Sequence, residues 1–112
     1  MSDLTLFVNN EAVFECDRDS SLTDDKLSFL DKMDSDMSRG VTIQGELISE
    51  PDNQQRARFV VMNLIKGIHQ DNQAVIQSSS AYLVNRIPRL IEVHVTEEGS
   101  KIHIELVEEK LN

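Results

Sequence analysis

Tryptophan is absent from the chain, and its 112 residues include one tyrosine and one cysteine. Each shortage excludes something. Aromatic residues at 4% cannot supply the bulk of a core, which must come from Leu, Ile, Val and Met. A single cysteine, Cys16, excludes an internal disulfide framework. No apolar run approaches the roughly 18 residues that a membrane helix needs. The opening MSDLTLFVNN has neither the basic stretch nor the long apolar segment of a secretory signal, so the expected location is the cytoplasm. Basic residues are also scarce, 11 against 20 acidic ones, for a formal charge of −9. Phosphate recognition draws on surplus Lys and Arg, so direct nucleic-acid or anionic-membrane binding is not expected.

What remains is a globular composition: 39% hydrophobic and 28% charged. The length suits one domain over residues 1–112. Charge is unevenly spread. Residues 1–54 hold 13 acids and four bases, whereas residues 55–112 hold seven of each. Between Gln55 and Arg89 the only acid is Asp71, set among Arg56, Arg58, Lys66, Arg86 and Arg89. Such halves attract one another, within a chain or between two chains.

Leu4, Leu6 and Val8 alternate with other residues, as do Ala12, Phe14 and Cys16, and Asn9-Asn10-Glu11 lies between. Asn tolerates the positive φ of tight turns, so two strands and a hairpin are expected. Phe7 and Val13 interrupt the alternation, which implies partial cover on both faces. Ser21 followed by Asp24 marks a helix start. Leu22, Phe29, Leu30, Met33 and Met37 then recur at helical spacing, and Gly40 can end the helix. The run Asp34-Ser35-Asp36 invites comparison with a calcium loop. Arg39 stands where that loop needs Gly, and Gly45 where it needs Glu. A helix whose Asp31, Asp34 and Asp36 face solvent explains the run better. Residues 41–49 are the least legible, with Val41 and Ile43 in a short extended piece.

Ser49, Pro51 and Asp52 mark a second helix start. This helix should reach about His69, with Ala57, Val60, Val61, Leu64, Ile65 and Ile68 on one apolar face. Asp71 can cap a third helix, 72–86, which Pro88 ends. Ile91, Val93 and Val95, then Ile102, Ile104 and Leu106, alternate with polar residues and predict a final hairpin. Apolar residues must share a face. A two-residue Glu98-Gly99 turn would satisfy this, setting Val95 against Ile102, His94 against His103 and Glu92 against Glu105.

That register makes His94, His103, Glu92 and Glu105 a candidate zinc or other divalent-metal set on the polar face of the hairpin. A solvated sheet face is the plainer explanation, and no cofactor is expected. Arg56 and Arg58, early in the second helix, are candidates for anion binding; pairing with the abundant acids competes. Acids on both sides of Cys16 make it a poor nucleophile, and His69 suits a helix C-terminus. There is no phosphate-binding loop, no dinucleotide fingerprint and no Gly-x-Ser-x-Gly elbow. Phe59 and Met62 lie across the second helix from its main apolar face, near Lys66. Exposing both would forfeit roughly 3–5 kcal/mol of burial.

The expected fold is α+β in the order ββ-α-α-α-ββ, with about four strands in terminal antiparallel hairpins and three central helices on one face. The expected function is a small acidic interaction or regulatory protein without catalytic activity. It would be a homodimer through Phe59, Met62 and Lys66, or would bind an unknown, basic protein partner. Two alternatives are metal binding at the hairpin and an acidic inhibitor that occupies a nucleic-acid-binding protein.

Overall fold

The computed structural model describes residues 4–16, 24–43 and 45–109. In chain order they form β1 (Leu4–Val8), β2 (Glu11–Cys16), α1 (Asp24–Met37), β3 (Val41–Ile43) and β4 (Glu46–Ile48). These are followed by α2 (Asn53–His69), α3 (Gln73–Arg86), β5 (Leu90–Glu98) and β6 (Lys101–Glu108). The fold is α+β, with three helices and six strands in two sheets. The chain divides into two compact units. One runs to Cys16 and resumes at Val84; the other covers Asp24 to Leu83. None of these helices is long and apolar enough to cross a membrane.

The first unit is a four-stranded sheet in the order β2-β1-β5-β6. Both terminal hairpins form, and they meet through a parallel β1–β5 ladder that pairs Thr5 with Glu92 and Val8 with Val95. The first turn follows from its sequence. Asn9 and Asn10 both adopt positive φ, 51° and 70°, which two-residue type I′ hairpins demand. Asn9 also secures the turn to β5: its N–H donates to Val95 O at 2.8 Å, and its Oδ1 accepts from Glu97 N at 2.9 Å. The interrupted alternation has a local cause. Leu6 pairs with Phe14 and Phe7 with Ala12, so Val13 is the extra residue of a β-bulge. Leu4, Leu6, Val93, Val95 and Ile104 are buried on one face. Phe7 stands on the other, stacked on His94 with ring centroids 4.5 Å apart.

The C-terminal hairpin corrects the expected register by two residues. Its turn is Gly99-Ser100, so Val95 faces Ile104, His94 faces Glu105 and Thr96 faces His103. Both registers keep the apolar residues on one face, so alternation cannot choose between them. Gly99 decides it: with φ of 60° it takes the first central turn position, where a type II′ turn favours glycine. Leu90 rather than Ile91 is fully buried, because the ladder shifts register between Leu90 and Glu92.

In the second unit, the expected cap Ser21 and Leu22 lie outside the described residues. Leu30 and Met37 of α1 are buried, Met33 is half-buried, and Phe29 is 49% exposed. Gly40 turns the chain at φ 115°, as its position suggested. The illegible stretch holds a second, small hairpin, β3–β4, in which Val41 pairs with Ile48. The start of α2 is three residues later than Ser49 implied. Asp52 is the cap: Gln55 N donates to its Oδ1 at 2.8 Å, and Asp52 N donates to Gln55 Oε1 at 2.9 Å. Pro51 disfavours helical geometry at Glu50, which defers the start.

Helix α2 ends at His69 as expected. Asp71 takes φ 53°, while Asn72 N donates to Gly67 O and Asp71 N to Ile68 O, which is a Schellman closure. The cap of α3 is then Asn72 rather than Asp71, with Val75 N donating to Asn72 Oδ1 at 3.3 Å. Ala57, Val60, Val61 and Leu64 are all but inaccessible to solvent.

Candidate functional site

Polar side chains come together at one point of the helical unit. Asp34 sits one turn after Leu30 and one turn before Met37, so it interrupts the buried stripe of α1 rather than facing water. Its Oδ1 accepts from the Tyr82 hydroxyl at 2.5 Å and from Arg56 Nη1 at 3.0 Å. Arg56 Nη2 also donates to Ser38 Oγ at 3.1 Å, and Arg56 Nε to Pro51 O at 3.3 Å. Ser38 Oγ in turn donates to Asp34 O at 2.8 Å. Burial pushes the Tyr82 hydroxyl up to about 12; the hydrogen bond to Asp34 and its charge add to this, and Arg56 opposes it. The side chains of Arg56 and Asp34 are 21% and 29% exposed, so water screens this pair only in part.

This network places one of the two arginines proposed for anion binding. Arg56 is engaged by Asp34, Ser38 and the Pro51 carbonyl, whereas Arg58 is exposed. The calcium-like run is likewise split: Asp34 belongs to the network, while Asp31 and Asp36 are exposed. Tyr82 was not singled out by the sequence. The available signal was an acid at helical spacing from Leu30 and Met37, which requires a buried donor nearby.

The hairpin residues proposed for metal are arranged differently from the expected square. His94 Nε2 lies 2.9 Å from Glu92 Oε1, two residues along the same strand. Glu105 is opposite His94, and His103 is opposite Thr96. Among the described residues no three His, Cys, Asp or Glu side chains form a group able to hold a metal ion.

A cleft of about 320 Å³ opens among the three helices. Helix α1 contributes Phe29 and Met33, α2 contributes Asn63 and Lys66, and α3 contributes Val75 and Ser79. Its helices approach closely at Gly67, where a Cβ would come within 2.9 Å of Val75 Cγ1. Phe59 and Met62 are half-buried and Lys66 is exposed. Leu47, in the middle of β4, is the most open large apolar side chain described, at 74%.

No family model matches the chain, nor does any curated protein or solved structure.

Proposed function

We propose that this is a small acidic interaction protein without catalytic activity, working in the cytoplasm as a homodimer through α2. The carrying observation is the uneven cover of that helix. Ala57, Val60, Val61 and Leu64 are enclosed, while Phe59 and Met62, on the opposite side, keep part of their surface in water. Arg58 is exposed at the edge of this patch, and Lys66 lies a turn beyond Met62. Asp24, Asp25, Asp31 and Asp36 are exposed on α1. A second copy would bring acids of its α1 to this basic rim, and a two-fold axis would repeat the contact. The cluster of Asp34, Arg56 and Tyr82 supports a structural rather than catalytic use, because its groups are bonded to one another.

Size exclusion with light scattering tests this reading. A dimer that dissociates in the double variant Phe59→Glu/Met62→Glu, with unchanged circular dichroism, supports it. A wild-type chain that stays monomeric at high concentration defeats it. Zinc-dependent amide shifts at His94 and His103 would favour metal binding instead. Salt-sensitive capture of basic, nucleic-acid-binding proteins would favour an inhibitor.

A further inference from the structure

We infer that the cleft among α1, α2 and α3 binds a small monoanion with an apolar body, of the class of aromatic or short aliphatic carboxylates. Its walls and its polar groups point to the same ligand. Phe29, Met33 and Val75 give it apolar sides. Phe29 leaves about half of its surface open, so an apolar guest would remove area from water that the chain alone leaves wet.

The polar groups are donors. Ser79 lines the cleft and is only 2% exposed. Its neighbours Ser78 and Ser80 donate to Val75 O and Gln77 O, each at 3.2 Å. A hydroxyl at the wall of the cleft can donate to an acceptor bound there. Lys66 lines the same cleft, and no carboxylate among the described residues pairs with it. That is notable in a chain with 20 acids and 11 bases. Asn63, one turn before Lys66, adds an amide.

One ammonium, one hydroxyl and one amide suit a single negative charge; a phosphate dianion would meet only one cation. The volume is near the lower end of small-molecule sites, which span about 300–1,000 Å³, so the ligand is compact. The site lies within one chain and does not require the dimer proposed above.

Amide NMR of the full chain, titrated separately with phenylacetate, hexanoate, benzyl alcohol and inorganic phosphate, tests it. Both carboxylates should give saturable shifts centred on Asn63, Lys66, Gly67, Val75 and Ser79. Benzyl alcohol, which has the body without the charge, should bind about tenfold more weakly, as should phenylacetate to Lys66→Met. Ser79→Ala should weaken phenylacetate binding several-fold. The same series on Phe59→Ser/Met62→Ser, which adds no carboxylate a turn from Lys66, separates the cleft from self-association: binding retained there upholds the site whatever the oligomeric state. Failure of both carboxylates to saturate overturns the inference. So does phosphate binding as tightly as phenylacetate, or undiminished binding to Lys66→Met.

Discussion

The Tyr82 hydroxyl of α3 meets Asp34 Oδ1 of α1 at 2.5 Å, and Arg56 of α2 reaches that same oxygen at 3.0 Å. One carboxylate oxygen thus links all three helices.

The ionisation of Tyr82 is directly measurable, because it is the only tyrosine in a chain without tryptophan. Its pKa stands at about 12 in the fold, against an ordinary value of 10.0 for a tyrosine hydroxyl. The folded state therefore holds the phenol proton more tightly than the unfolded chain does. The associated stability is complete below about pH 10 and is lost as pH rises through about 12. Near-ultraviolet titration should find tyrosinate appearing near 12 in the native protein and near 10 in urea. Tyr82→Phe should flatten the alkaline decline in stability.

Asp34→Ala should be more damaging than Tyr82→Phe. The first strips Tyr82 of its acceptor and Arg56 of its counter-ion, leaving Arg56 only Ser38 Oγ and Pro51 O, and should cost about 2–3 kcal/mol in urea unfolding. The second removes one donor from an acid still paired with Arg56, at about 1 kcal/mol. The double variant should lose less than the sum of the two, with a coupling of at least about 0.5 kcal/mol.

Gly67→Ala should destabilise, against the usual helix preference. Propensity alone would favour Ala by about 1 kcal/mol. The added methyl, however, would stand 2.9 Å from Val75 Cγ1 and 3.2 Å from Val75 Cβ. A β-branched side chain yields little, so a net loss of about 1–2 kcal/mol is expected from thermal or urea unfolding. Val75→Ala in the same chain should recover part of it.

The two asparagines of the first turn should respond in opposite directions to glycine. Asn10→Gly relieves a left-handed residue at φ 70° and should raise stability by about 0.5 kcal/mol. Asn9→Gly also frees a left-handed residue but removes the side-chain bond to Glu97 N, and should lower stability by about 0.5–1 kcal/mol. Thermal melts of the two variants decide this.

Much of the architecture was legible where one short-range rule dominates. Asn9-Asn10 marks a turn because few other residues accept that backbone, and His69 ends α2 just before residues that close the helix. The register of β5–β6 escaped because alternation fixes only parity, and the choice between two even shifts lay with Gly99. The β3–β4 hairpin escaped because three-residue strands are too short to show a period. The network at Asp34 was assigned to solvent on the assumption that acids avoid a buried stripe. That assumption fails when a tyrosine 48 residues away supplies the missing partner.

The parallel ladder between β1 and β5 joins residues far apart in the chain, Thr5 with Glu92 among them. During synthesis the β1–β2 hairpin emerges first, yet a lone two-stranded ribbon is marginal in water. Its inner edge stays open until β5 leaves the ribosome, so the nascent chain carries an unsatisfied strand while residues 17–89 are made. Maturation of this sheet therefore waits on the arrival of β5.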